Sequence, residues 1–213
     1  WTGFRETLRL TLAEHVGDTE REMDILRETH HAQVFRLLAQ DLAGLQTIEH
    51  LSDHLTELAD TIVQETLPLC WATIKKRHCE TPKFAIIGYG KMGGKELGYA
   101  SDLDMVYLFD DDDQDAGENY NRLGQRLNTW LSSQTSAGIL FETDLRLRPN
   151  GDSGLLAVSV DAFRDYQLKH AWVWEHQALS RARFCAGDPA VGERFEAIRI
   201  EILRQQRDLT KLR

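Results

Sequence analysis

The stretch that decides the fold is Lys83-Phe84-Ala85-Ile86-Ile87-Gly88-Tyr89-Gly90-Lys91-Met92-Gly93-Gly94. Its first half is a short β-rich apolar run that ends in glycine, as buried strands often do. Its second half is a glycine-rich turn whose backbone N–H groups can cradle phosphate oxygens at the start of a short helix. The spacing matches neither the P-loop nor the dinucleotide-binding fingerprint. The turn can therefore serve a phosphate ligand, or it can be a tight strand-to-helix connection without one.

The segments on either side of this stretch set the fold class. Apolar residues recur at helical spacing from about residue 4 to 78, and again from residue 161 to the end, with a break near residue 187. Further strand-like runs cover 105–109, 139–148 and 155–158, and a helical pattern covers 120–131. Strands flanked by helices without regular alternation predict an α+β core. We divide the chain into a helical lead-in (1–80), the core (81–160) and a C-terminal helical segment (161–213).

Composition excludes several classes of protein. The chain has 213 residues, 42% of them hydrophobic and 28% charged, which is typical of a soluble globular protein. A net charge of -9 argues against nonspecific nucleic-acid binding. No apolar run approaches the roughly 20 residues that cross a bilayer, and Trp1–Arg5 lacks signal-peptide character, so we expect a cytoplasmic protein. A start without Met and a helical pattern running to Arg213 predict a piece of a longer protein.

Two features bear on metal sites outside the core motifs. The three cysteines (Cys70, Cys79 and Cys185) are odd in number and form no CxxC pair, which predicts reduced structural thiols. The acidic loop Asp110-Asp111-Asp112-Asp113 resembles a cation-binding segment, but a run of like charges is more often solvated. Neither feature alone predicts a metal site.

Paired aspartates give the first chemical signal. Asp102 and Asp104 stand two residues apart at the mouth of a strand-like run, and the period of two points both side chains to one face. Two carboxylates this close repel each other unless a cation lies between them. Mg²⁺, which combines carboxylates with substrate phosphates, is the expected ion. A bare pair of this kind can also be a solvated strand start.

The predicted third strand adds more charged groups. Between residues 139 and 148, Glu142, Asp144, Arg146 and Arg148 fall on one face, opposite mostly apolar positions. A carboxylate in line with two guanidinium groups suits a site where metal and phosphate meet, because Arg binds phosphate oxygens bidentately. The alternative is a solvent-exposed face of the sheet.

Three motifs together resemble a known family. They are Gly88 to Asp104, Glu142 to Pro149, and Trp172-Val173-Trp174-Glu175-His176-Gln177-Ala178-Leu179. These residues resemble the bacterial glutamine synthetase adenylyltransferases, which belong to the polymerase-β-like nucleotidyltransferase superfamily. The resemblance covers roughly residues 84 to 205. It implies a small mixed sheet with flanking helices, between helical segments.

The resemblance also implies a function and a set of site residues. Gly98 to Asp104 and Trp172 to Leu179 are similar to the domain that transfers AMP from ATP to a tyrosine hydroxyl of glutamine synthetase and releases pyrophosphate, a step that down-regulates nitrogen assimilation. The implied effectors of the full-length enzyme are glutamine and a PII signalling protein. Catalysis and Mg²⁺ binding are assigned to Asp102, Asp104 and Asp144. Nucleotide binding is assigned to Gly88, Gly90, Lys91, Gly93, Gly94, Ser101, Arg146 and Arg148.

Other interpretations remain open at this stage. The same scaffold could remove AMP from modified glutamine synthetase by phosphorolysis, or the chain could be a non-catalytic regulatory module. Trp172, Trp174 and His176 could line a nucleotide pocket, although aromatic residues at helical spacing more often fill a core.

Overall fold

The computed structural model describes residues 1–205, which contain eight α-helices and five β-strands. The helices are α1 (Thr2–Ala13), α2 (Thr19–Leu42), α3 (Ile48–Ala72), α4 (Gly90–Gly93), α5 (Ala116–Ser132), α6 (Val160–Lys169), α7 (Val173–Ser180) and α8 (Pro189–Leu203). The strands are β1 (Phe84–Gly88), β2 (Leu103–Phe109), β3 (Thr143–Asp144), β4 (Ala157–Ser159) and β5 (Arg183–Gly187). The predicted α+β class is confirmed. Within residues 1–205, no helix is both long and apolar enough to span a membrane.

The lead-in helices begin at side-chain caps and bury one apolar face. Asp18 accepts a hydrogen bond from the backbone N–H of Arg21 at the start of α2, and Thr47 caps α3 in the same way. The predicted apolar stripe of α3 is buried from Leu51 to Ile62, whereas Ile48 at the helix start is 73% exposed. The buried residues of α3 belong to one hydrophobic cluster with side chains of β1, β2 and α5. The helices therefore share a core with the sheet.

The sheet is mixed, and β2 lies in its interior with partners on both edges. β1 pairs antiparallel with both β2 and β5, and the other edge of β2 pairs in parallel with β3 and then with β4. Because β1 runs antiparallel to β2, the end of β1 lies beside the start of β2, where Gly88 pairs with Met105. The glycine-rich turn after β1 is thereby brought next to Asp102 and Asp104.

Two predictions of secondary structure were wrong, one for a strand and one for a helical segment. The third strand covers only residues 143–144 instead of 139–148, because the chain turns after Asp144 and follows an irregular path through residues 145–156. The helical segment predicted from residue 161 onward is interrupted by β5, which pairs with β1. The β5 residues alternate poorly between apolar and polar, since four of the five are only partly buried, so the strand leaves little sequence signal.

Arg27 of α2 fixes the segment that leads into β3. Its guanidinium is fully buried and donates to the backbone oxygens of Met23, Trp130, Ser133 and Gly138 at 2.7–2.9 Å. These carbonyls satisfy the cation without a carboxylate in direct contact. Arg27 therefore connects α2 by hydrogen bonds to the end of α5 and to the loop that precedes Asp144.

Replacing Arg27 should destabilise the fold. Arg27→Met leaves several buried carbonyl groups without donors, and each unsatisfied group costs about 1–3 kcal/mol, so we expect a loss of at least about 3 kcal/mol in the free energy of unfolding. Urea denaturation followed by circular dichroism measures it. Arg21→Met on the same helix is the matched control, because Arg21 is a surface residue whose side chain pairs with the exposed Glu28, and the urea midpoint of this variant should hardly move. Equal midpoints for the two variants would contradict the assigned role of Arg27.

Candidate active site

Three carboxylates converge at the start of β2. Asp104 and Asp144 are direct partners in the parallel register between β2 and β3, so their side chains share a face of the sheet. Asp102 lies two residues earlier and points to the same side. One oxygen from each of the three lies within 4.8 Å of the others. The sequence predicted this grouping correctly, although it assigned Asp144 to a much longer strand.

The electrostatics of the three groups differ. Partial burial, followed by the charges of Asp102 and Asp144, raises the pKa of Asp104. Arg146 has the opposite effect on Asp144: its hydrogen bonds lower the pKa of that carboxyl. The Arg146 Nε atom lies 2.9 Å from Asp144 Oδ2, and the Arg146 backbone N–H donates to Oδ1 at 2.8 Å. The three carboxylates thus repel one another, and the positive charges of Arg146, Lys91 and Arg148 partly offset that repulsion.

Gly90 is the glycine that the site geometry requires. Its φ of 52° is left-handed, and a Cβ atom there would lie 2.2 Å from Asp104 Oδ2. The turn therefore passes so close to the carboxylate that no side chain fits between them. Lys91, the next residue, is exposed, and its charge lowers the pKa of Asp104 against the raising effects. The turn and the carboxylates form one continuous surface.

The remaining predicted phosphate contacts have different surroundings. Gly88 packs against the Cys185 side chain, while Gly93 and Gly94 pack against Arg181, where a Cβ atom on Gly93 would lie 2.1 Å from the carbonyl oxygen. These three glycines thus allow close packing against β5 and the residues just before it. Ser101 accepts a hydrogen bond from the Gly98 backbone N–H at 2.9 Å, which closes the turn before Asp102.

The two predicted arginines lie in a turn, not on a strand face. Arg146 is 75% exposed and reaches Asp144, so it stands at the edge of the carboxylate group. Arg148 is buried, and its guanidinium donates to the Leu145 carbonyl at 2.6 Å. It also lies 3.6 Å from Asp152. Arg148 holds the loop after β3 in place, and its role in nucleotide binding stays a prediction.

A surface cleft of about 650 Å³ opens beside the carboxylates. Its lining comprises Asp102, Asn128, Ser132, Glu142, Thr143, Asp144, Leu145, Arg146, Arg148 and Asp152. Asn128 accepts a hydrogen bond from the Thr143 hydroxyl and so ties α5 to β3. Sequence reasoning missed Asn128 and Ser132, because polar residues on a helix carry no signal of which cleft they line.

Comparison with known proteins gives the family. The sequence matches the family described as glutamate-ammonia ligase adenylyltransferase over residues 1–198. The chain belongs to this family. A bifunctional glutamine synthetase adenylyltransferase/adenylyl-removing enzyme from Aromatoleum aromaticum is 63% identical over 213 residues, which is 100% of this chain and 23% of that protein. Proteins of the same name from Chromobacterium violaceum and Neisseria meningitidis serogroup A are 57% and 58% identical over the whole chain and 24% of their own length. The chain thus spans about a quarter of the length of these relatives.

The third motif of the chain, Trp172 to Leu179, caps and forms most of α7. Glu175 is buried and accepts hydrogen bonds from the Trp172 backbone N–H at 2.6 Å and from the Tyr166 hydroxyl at 2.9 Å. The His176 ring contacts the Gln167 carbonyl at 2.9 Å. Trp172 and Trp174 are 71% and 56% exposed, so the expectation that they fill a core was wrong.

Gly90→Ala tests the link between the turn and the carboxylates. The added methyl group must displace the Asp104 carboxylate. Misplacing a group at a reacting site by about 1 Å can lower the reaction rate about 100-fold. We expect the dissociation constant for Mn²⁺, measured by isothermal titration calorimetry, to rise by about tenfold or more. Gly98→Ala is the control, because a Cβ atom there meets only Ser101 Oγ at 3.7 Å. Wild-type affinity in Gly90→Ala would remove Asp104 from the cation site.

Proposed function

We propose that this chain carries a site that transfers AMP from ATP to a tyrosine hydroxyl of glutamine synthetase and releases pyrophosphate. The observation that carries the proposal is the approach of three carboxylates, from Asp102, Asp104 and Asp144, to within 4.8 Å of one another beside a glycine-rich turn. The relatives' printed name contains this adenylyltransferase activity. Family membership thus supports the proposed class of substrate, and the position of the three carboxylates supports the proposed place of the reaction.

The carboxylate donor set fits Mg²⁺. All three groups offer oxygen ligands, which this ion prefers, and burial together with the charges of Asp102 and Asp144 raises the pKa of Asp104, as expected where a cation is needed to balance charge. Mg²⁺, when bound, would supply charge stabilisation at the phosphates and acidify the attacking hydroxyl. In this proposal Asp102, Asp104 and Asp144 would together hold Mg²⁺.

The chain's own residues have separate tasks in the reaction. A tyrosine hydroxyl has an ordinary pKa near 10 (roughly), so its proton must be removed as its oxygen attacks the α-phosphorus. In this proposal Asp144 accepts that proton once a bound cation has acidified the hydroxyl, because Arg146 lowers the pKa of its carboxyl and so makes it a weak base on its own. The leaving pyrophosphate gains negative charge, which Lys91 and the backbone N–H groups of the first turn of α4 can offset.

Removal of AMP by phosphorolysis is the second candidate function. The relatives' printed name includes an adenylyl-removing activity, and the carboxylates alone do not decide between adding and removing a nucleotidyl group. The similarity of Gly98 to Asp104 and of Trp172 to Leu179 to adding domains favours transfer to glutamine synthetase. Glutamine and a PII protein are proposed effectors of the full-length enzyme. A cytoplasmic location and the absence of nucleic-acid and membrane partners complete the proposal.

Aspartate-to-asparagine substitutions test the proposed chemistry. Asp102→Asn and Asp144→Asn each remove a cation ligand worth several kcal/mol of transition-state stabilisation, so AMP transfer should fall by about 1000-fold or more. Transfer of label from α-labelled ATP to unmodified glutamine synthetase measures the rate. Asp112→Asn in the exposed acidic loop is the control and should keep wild-type activity.

A second assay separates the two directions. Incubating the chain with adenylylated glutamine synthetase and phosphate measures release of ADP, the product of phosphorolysis. Activity in this assay alone would replace the adding function by the removing one. Near-normal turnover by either asparagine variant would refute the assigned roles, and a wild-type chain that neither binds ATP nor acts in either assay would support a regulatory module.

A further inference from the structure

A second group of metal-ligating side chains lies at the opposite end of β2 from the three aspartates. His78 and Cys79 belong to the connection between α3 and β1, and Asp111 follows β2. Their ligand atoms all lie within 4.8 Å of one another. The side chains of His78 and Asp111 are only 4% and 7% exposed. Asp111 thus departs from the solvated acidic loop that the sequence predicted, because its carboxylate turns into the protein.

The spacing of these atoms suits a tetrahedral ion. Cys79 Sγ lies 3.5 Å from His78 Nε2, and Nε2 lies 3.0 Å from Asp111 Oδ2. Zn²⁺ binds sulfur at about 2.3 Å and nitrogen or oxygen at about 2.0–2.2 Å, which places neighbouring ligand atoms of a tetrahedron roughly 3.3–3.6 Å apart. Small side-chain adjustments are therefore sufficient to admit the ion.

The donor set selects among divalent cations. One sulfur, one imidazole nitrogen and one carboxylate oxygen match Zn²⁺, whereas Mg²⁺ and Ca²⁺ prefer oxygen ligands alone. A thiolate and a carboxylate also balance the two positive charges of the ion. We propose that His78, Cys79 and Asp111 form a zinc site. The fourth position of such an ion would face the shallow surface cleft lined by residues 72–80, which include His78 and Cys79.

Neighbouring side chains already orient two of the three ligands. The Tyr120 hydroxyl donates to Asp111 Oδ2 at 2.9 Å and accepts from the Lys83 backbone N–H at 3.0 Å. The Asn119 side-chain amide lies 3.0 Å from His78 Nδ1. In the structure the Asn119 amide nitrogen faces Nδ1 and lies 3.5 Å from the Lys76 carbonyl oxygen, so ion binding requires this amide to turn its oxygen toward an Nδ1–H, which leaves the Nε2 lone pair for the ion. This is the outer-shell arrangement that metal-binding histidines use.

The protons balance without any redox change. Burial raises the pKa of the Cys79 thiol, so the thiol is protonated in the free protein and its proton passes to solvent when sulfur binds the ion. The imidazole keeps one proton, which moves to Nδ1. Although burial opposes it, hydrogen bonds from His78 and Tyr120 hold the pKa of Asp111 at about 2, so this carboxylate is already ionised.

The zinc site joins three segments that are distant in sequence. His78 and Cys79 end the connection that follows α3, Asp111 ends β2, and Asn119 and Tyr120 lie in the first turns of α5. An ion here clamps the helical lead-in to the end of the sheet remote from the three aspartates. The proposed effect of the ion is therefore to cross-link these segments, and it does not depend on the proposed AMP transfer.

Cobalt substitution tests the site in the whole chain. Co²⁺ is added in the presence of excess Mg²⁺, which competes for the oxygen-only site of Asp102, Asp104 and Asp144 but not for a thiolate. We expect a thiolate-to-cobalt charge-transfer band that Zn²⁺ abolishes. Cys79→Ser and His78→Gln should remove the band and weaken Zn²⁺ binding, measured by chelator competition, by more than about 100-fold, the upper range for losing only an outer-shell partner. Cys185→Ser is the control and should keep both the charge-transfer band and the affinity for Zn²⁺.

A measurement on the unsubstituted chain covers the case in which these variants fail to fold. Zn²⁺ should slow alkylation of Cys79, read by peptide mass spectrometry, and a chelator should restore it. The absence of a charge-transfer band in the wild-type chain, a band that persists in folded Cys79→Ser, or alkylation of Cys79 that is unaffected by Zn²⁺ would each overturn the proposal.

Discussion

Three carboxylates that repel one another are held close together, and several contacts of this fold serve to keep them there. Asp102, Asp104 and Asp144 come from two separate segments, and the fold must hold their oxygens together without relying on attraction between them. The parallel register of β2 with β3 provides this restraint, because backbone hydrogen bonds fix Asp144 directly beside Asp104. A strand of only two residues cannot do so alone, since a pairing this short contributes little stability.

The additional restraint comes from the lead-in helix α2. Arg27 binds the Gly138 carbonyl, the His31 ring lies 3.1 Å from the Ile139 carbonyl, and Asp24 accepts from the Ser136 hydroxyl at 2.8 Å. Three side chains from successive turns of one helix thus hold the segment that leads into β3. The helical lead-in therefore belongs to the scaffold of the candidate site in the described structure, and it shares a hydrophobic core with the sheet.

The sequence predicted the parts of the site that depend on local pattern. The period of two in Asp102 and Asp104, and the turn at Gly90, both follow from neighbouring residues and are found together. Asp144 was correctly predicted to lie beside the other two aspartates but for partly wrong reasons, because Arg146 and Arg148 lie in a turn and share no strand face with it. Long-range contacts left no pattern to read: β5 forms through pairing with β1, and Asp111 is drawn inward by His78, 33 residues away.

The third motif shows how a family signature divides between structure and function. Glu175 and His176 are explained by the fold, since the first joins the start of α7 to Tyr166 and the second contacts the carbonyl of Gln167. Trp172 and Trp174 are not explained in this way, because their indole rings are largely exposed within the described residues. Exposed aromatic side chains of this size are typical anchors of binding surfaces. The motif therefore divides into residues that the described fold uses and two indole rings that it leaves at the surface.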